Sequence, residues 1–164
     1  MITQEKSNII NGLVSITPYI FHDFRGEYVE TFNSEKYKFY DDNNEQIIFH
    51  EDDLSISRKN VLRGMHGDDR TWKLVQCIFG SFYLVVVDYR KLSSSYLKHE
   101  TFSINDKNRL QILIPSGCAN GHLCLSDYCV FSYKQSCSYI GSAAQFTLKW
   151  DDPKIGIYWP TKCP

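Results

Sequence analysis

Turn-forming residues cut this chain into pieces too short for ordinary helices. About nine short runs rich in β-branched and aromatic residues follow one another: Glu27–Phe32, Gln46–Phe49, Val61–Met65, Leu74–Phe79, Phe82–Asp88, Thr101–Ile104, Gln111–Ile114, Cys129–Tyr133 and Gln145–Trp150. Gly80-Ser81 reads as a tight hairpin turn between two of them, and Arg25-Gly26, Asn105-Asp106 and Asp151-Asp152-Pro153 interrupt others. Only the segment from Ser34 to Tyr40 reads as a short helix, with an N-cap-like Ser34 followed by Glu35 and Lys36. The pattern predicts an all-β domain: a sandwich, jelly roll or barrel. At 164 residues and 43% hydrophobic content the chain buries one substantial core, so residues 1–164 are expected to form a single domain.

Charge narrows the partners. The net charge is -1 and no dense Lys/Arg run occurs, which argues against a nucleic-acid or membrane-surface protein. The start, Met1-Ile-Thr-Gln-Glu-Lys-Ser7, lacks a basic-then-apolar leader, and no apolar run approaches bilayer-spanning length. A cytoplasmic location is expected. The six cysteines form no Cys-x-x-Cys pair and read as reduced, mostly buried thiols. The five histidines lack the spacing that puts two imidazoles on one metal.

Against this apolar background, Val61-Leu-Arg-Gly-Met-His66 and Lys73-Leu-Val75 place two cations and a titratable imidazole on sheet-like segments. Such groups inside a sheet are costly unless paired or used, so they suggest an anion-holding, proton-moving pocket. In a straight strand Arg63 and His66 would face opposite ways. Gly64 permits a bulge that turns both toward one cavity. Asp88 stands at the end of the stripe formed by Phe82, Leu84 and Val86.

These motifs, with Val87-Asp-Tyr-Arg90, Ile114-Pro-Ser-Gly117, Leu125-Ser-Asp127, Phe131-Ser-Tyr-Lys134 and Trp150 to Pro160, resemble the dTDP-4-dehydrorhamnose 3,5-epimerase family. Asp23-Phe-Arg-Gly-Glu-Tyr-Val-Glu30 looks like its early Asp-x-Arg-Gly segment, and the motifs occur in order from about residue 13 to 160. The resemblance implies a cupin-type jelly roll with one or two short helices, working without a metal or other cofactor. It also implies a homodimer with an exchanged strand. The expected ligand is a nucleotide-diphosphate 4-keto sugar. Its ketone acidifies the hydrogens on C3 and C5; a base removes one, an enolate forms, and an acid returns a proton to the other face.

Carried over residue by residue, the resemblance makes His66 the base, Tyr133 the acid and Lys73 the group facing the O4 enolate. Arg63 would hold the diphosphate, joined by Arg25 from the partner subunit. Glu30 and Glu51 fall at polar nucleotide or sugar contacts. Taken without the motifs, each has a plainer reading: a hydrogen-bonded sheet histidine, a core tyrosine, solvated surface charges.

Three departures bear on mechanism. Rhamnose-pathway members carry, beyond the Trp-Pro segment, an aspartate that steadies the base histidine; this chain ends at Pro164. Asp88 is the candidate replacement, provided it faces the cavity; its plainer reading is a pair with Arg90 or a backbone amide at a strand end. Where those enzymes read Ala-His-Gly-Phe, this chain has Ala119-Asn-Gly-His122, so Asn120 and His122 both enter the expected binding set. Third, His50-Glu-Asp-Asp53 is more acidic than the usual Gln-Asp-Asn, which suggests another 4-keto sugar, such as a heptose, destined for a surface polysaccharide. A cupin 3,4-ketoisomerase and a non-catalytic sugar-nucleotide-binding cupin are the alternatives.

Overall fold

A computed structural model describes residues 2–161. Its strands are β1 (Thr3–Lys6), β2 (Val14–Thr17), β3 (Ile20–Asp23), β4 (Gly26–Val29), β5 (Glu51–Arg58), β6 (Leu62–Gly67) and β7 (Lys73–Phe79). There follow β8 (Ser81–Asp88), β9 (His99–Asn105), β10 (Gln111–Ile114), β11 (Cys118–Cys124), β12 (Tyr128–Gln135) and β13 (Phe146–Thr147). They form a six-stranded sheet in the order β1-β2-β10-β7-β12-β5 and a five-stranded sheet in the order β13-β6-β11-β8-β9. The hairpin β3-β4 joins neither sheet. All pairings are antiparallel, and the fold is a cupin-type jelly roll.

Strand β8 shows how the layers arise. Phe82, Leu84 and Val86 point between the sheets, where they meet Val75, Cys77, Ile104, Ile112, Cys129 and Phe131. Val85 and Val87 point outward, yet they are buried beneath Leu148, Ile155 and Trp159 of the C-terminal segment. Covered on both faces, the strand reads as a continuous apolar run rather than an alternating one. Trp159 fixes that cover by donating its indole N–H to the Trp150 carbonyl at 2.9 Å. On the outer face of the other sheet, Val14, Ile16, Leu74 and Leu113 pack under Tyr37, Phe39 and Ile47.

The Ser34–Tyr40 segment is not a helix. Ser34–Lys36 is a turn in which the Lys36 and Tyr37 amides share the Asn33 carbonyl at 3.0 and 2.8 Å. Beyond it, Tyr37 and Phe39 are both buried while Lys38 is exposed, and that two-residue period draws the chain out instead of coiling it. Among the described residues the helical content is one 3-10 turn, Ser142–Ala144. The Gln46–Phe49 run likewise forms no strand and joins Tyr40 through a single bridge at Gln46. Cys77, Cys118, Cys124 and Cys129 are buried free thiols and Cys137 is half-buried; Cys163 lies outside the described residues. Among the described residues no helix is long and apolar enough to cross a membrane.

Candidate active site

Strand alternation places a polar set between the sheets beyond the apolar core. On β12, Phe131, Tyr133 and Gln135 face inward; on β7, Lys73 does so, directly across from Gln135. On the opposite wall, β11 turns Asn120 and His122 inward, and β6 supplies Arg63 and His66. The four residues from Arg63 to His66 lie opposite only three, from Asn120 to His122, so β6 carries a bulge. Gly64, at φ 119°, makes it feasible: a Cβ there would lie 2.5 Å from the Gly121 Cα. Together these side chains, with Ser55, Tyr139, Ser142, Gln145 and Thr147, line an open cavity of about 420 Å³. That volume suits a small-molecule ligand.

His66 and Tyr133 come from different sheets and thus stand on facing walls. Burial, reinforced by the nearby Lys73 ammonium, lowers the His66 pKa, so the imidazole is neutral at pH 7 and able to accept a proton. Tyr133 shifts the other way, because burial and then the charges of Asp53 and Glu51 disfavour the phenolate. It therefore keeps its proton across the neutral range. Lys73 bridges the sheets, with Nζ 3.4 Å from the Asn120 Oδ1. It is buried to 8% exposure, and desolvation lowers its pKa.

Arg63 lies at one end of the cavity. Its Nε donates to Ser57 Oγ at 2.9 Å and one terminal nitrogen to the Ile56 carbonyl at 3.3 Å, which fixes the guanidinium plane. Beside it, His122 stacks on Phe131 with ring centres 4.1 Å apart. Burial and the Arg63 charge push its pKa down to about 4, so it is a neutral wall of the cavity. Glu51 stands behind the cavity lining: its carboxylate accepts from Gln135 Nε2 at 2.9 Å and from the Tyr139 amide at 3.0 Å.

Asp88 is not the partner of His66. Its carboxylate is fully buried and takes hydrogen bonds from Arg90, Ser93 and Ser95 at 2.6 to 3.0 Å. Burial alone would raise its pKa, but those donors outweigh it and bring the carboxyl to about 2. Asp88 is thus a staple at a strand end. The group that meets His66 Nδ1 is the Thr147 hydroxyl on the neighbouring strand β13, at 3.2 Å. Nothing in the sequence singles out Thr147, since only the pairing of β13 with β6 brings it there. Arg25 and Glu30 lie outside the cavity, Arg25 bonded to Asp23 and Glu30 to Lys36 and Asn33.

The sequence profile of the dTDP-4-dehydrorhamnose 3,5-epimerase family matches residues 7–163. The chain belongs to this family. A relative of the same description from Methanothermobacter thermautotrophicus is 37% identical over 153 residues, covering 92% of this chain and 80% of the relative. The crystal structure of the dTDP-6-deoxy-D-glucose-3,5-epimerase of Legionella pneumophila, in complex with dTDP-4-keto-L-rhamnose, superposes with a TM-score of 0.88 at 30% identity. That match covers 98% of this chain and 84% of the other. A 4-keto-6-deoxy sugar epimerase from the novobiocin gene cluster of Streptomyces spheroides gives 0.89 at 27% identity, covering 100% and 82%. Membership in the 3,5-epimerase family makes the protein an epimerase of a nucleotide-linked 4-keto sugar.

Proposed function

We propose that the protein inverts C3, C5 or both of a nucleotide-diphosphate 4-keto deoxyhexose or heptose through an enolate, supplying a sugar for surface polysaccharide. The observation that carries this reading is the placement of His66 and Tyr133 on facing walls, with the Lys73 ammonium between the sheets. His66 takes the proton α to the ketone. Charge then develops on O4, where the desolvated Lys73 ammonium is worth more than it would be in water. Tyr133 donates to the opposite face of the same carbon, and the two groups exchange protons with solvent before the next cycle. The free edge of the Arg63 guanidinium accepts the diphosphate, which orients the sugar toward His66 and Tyr133.

Thr147 supports the base. By accepting a hydrogen bond from Nδ1–H, its hydroxyl leaves Nε2 free for abstraction, although a neutral oxygen stabilises the imidazolium less than a carboxylate does. Arg25, on the hairpin β3-β4, reaches the diphosphate of a second copy in a homodimer. This reading draws on the hairpin's separation from both sheets and on the exposure of Phe21, Phe24 and Tyr28 along it.

Incubation with dTDP-4-keto sugars in D2O tests the assignment. Deuterium should enter at C3 or C5, His66→Ala should abolish exchange, and Tyr133→Phe should retain exchange while losing inversion at one or both carbons. A carbonyl moved to C3 would indicate a 3,4-ketoisomerase instead. Binding without any exchange would indicate a non-catalytic sugar-nucleotide module.

A further inference from the structure

Gln135 has a feature the reaction as described does not use. It is 4% exposed and lines the cavity two residues beyond Tyr133 on the same face of β12. Its Nε2 donates to Glu51 Oε1 at 2.9 Å and to Asp53 Oδ2 at 3.0 Å. Both acceptors are carboxylates, so the NH2 end of the amide must face them, and the usual ambiguity of an amide side chain is removed. The carbonyl end is left with no hydrogen-bond partner among the described residues. Its oxygen also does not count among the buried, unsatisfied polar atoms, so it is reachable from the cavity.

The surroundings favour that orientation further. Glu51 is held by the Tyr139 amide at 3.0 Å. Burial and then the contact with Glu51 raise the Asp53 pKa, and the hydrogen bond donated by the Gln135 amide works against that rise by favouring the carboxylate. Asp52 points to the outer face, where Lys134 neutralises it at 2.6 Å. Lys73, the cation nearest to Gln135 across the β7–β12 pair, is directed to Asn120.

We propose that Gln135 is a specificity-determining residue whose carbonyl oxygen accepts a hydrogen bond from a sugar hydroxyl flanking the C4 ketone, with Glu51 and Asp53 as the positioning residues that fix its amide. The inference rests on the epimerase reading and sharpens it. If Lys73 faces O4 and Tyr133 faces the neighbouring carbon, Gln135 lies beside both. The hydroxyl belongs either to ring C3 or to the exocyclic carbon attached to C5. A methyl group or hydrogen in its place would cover the acceptor without replacing its hydrogen bond to water, and such a mismatch is what gives polar sites their discrimination.

The test compares kcat/KM for D2O exchange with three dTDP-linked 4-keto hexoses: one with a C6 hydroxyl, its 6-deoxy analogue, and the 3,6-dideoxy analogue. Wild type should prefer the sugar bearing the recognised hydroxyl. In Gln135→Met, which keeps the volume but not the acceptor, one preference ratio should fall about three- to tenfold, the scale of one neutral hydrogen bond. A fall in the 6-hydroxy to 6-deoxy ratio assigns the exocyclic hydroxyl; a fall in the 6-deoxy to 3,6-dideoxy ratio assigns ring C3. The double variant Glu51→Gln/Asp53→Asn, which lets the amide turn over, should reduce the same ratio. A merely structural role would lower activity on all three sugars alike, and unchanged ratios overturn the proposal. Wild type that exchanges no deuterium into any of the three overturns the epimerase reading instead.

Discussion

At the scale of single residues, the working pKa values are set by burial and by neighbouring charge. The folded pKa of His66 lies below its ordinary value of 6.5, so the proposed base stays neutral through the neutral range and is lost only as the pH falls through that lowered value. The acid limb of kcat/KM should accordingly have its midpoint below 6.5, checked by a pH profile of deuterium exchange. Thr147→Val removes the one hydrogen-bonding group on Nδ1 among the described residues, at nearly constant volume, and should reduce kcat about five- to tenfold. Exchange kinetics that match wild type would show that the contact is incidental. Asp88 obeys a different logic. Its pKa, depressed from 3.8 to about 2, stabilises the fold at pH values above 3.8, and that contribution of about 2 kcal/mol disappears as the pH falls toward 2. Asp88→Asn should therefore be less stable by about 2 kcal/mol at pH 7 in urea denaturation, with a flatter acid dependence between pH 4 and 2.

At the scale of elements, the site depends on one irregularity. Without the bulge in β6, alternation would send either Arg63 or His66 into the outer layer with Met65. Gly64→Ala combines an unfavourable positive φ with a collision against the β11 backbone, and should cost about 3 kcal/mol and abolish exchange. Equilibrium unfolding and the D2O assay check both. That glycine, like the runs of β7, β8, β10 and β12, was legible in the sequence because its residue type has a direct backbone meaning. Strand β5 was not: Glu51-Asp-Asp-Leu-Ser carries three acids, and its inward stripe of Glu51, Asp53, Ser55 and Ser57 is polar because it borders a cavity rather than the core. Asp88 misled for a related reason. An acid ending an apolar stripe suggests a functional pocket, and although a pair with the nearby Arg90 was legible, Ser93 and Ser95 complete its donor set from the following loop, whose folding back no local pattern reveals. Gln135 lay within reach, two residues past Tyr133 on the same face, but its value depends on two carboxylates from another strand.

At the scale of the whole molecule, exposed apolar side chains on β5 and on the hairpin β3-β4 bear on assembly. Strand β5 is a sheet edge, and Leu54 and Ile56 on its outer face are 64% and 60% exposed. Phe24, at the tip of the hairpin β3-β4, is 97% exposed beside Arg25. An unpaired strand with apolar residues is an aggregation hazard for a monomer and an ordinary interface for a dimer. In the proposed homodimer Arg25 would join Arg63 at the partner's cavity, giving two guanidinium groups for one diphosphate. Light scattering should give twice the chain mass for wild type. In Leu54→Asp/Ile56→Asp the mass should fall to that of one chain, while urea denaturation changes by about 0.5 kcal/mol or less per site beyond the loss of association, because both side chains point away from the core. That monomer should bind dTDP more weakly, and Arg25→Ala should weaken binding in the same direction while remaining dimeric. A monomeric variant with wild-type affinity for dTDP would show that each cavity is complete within its own chain.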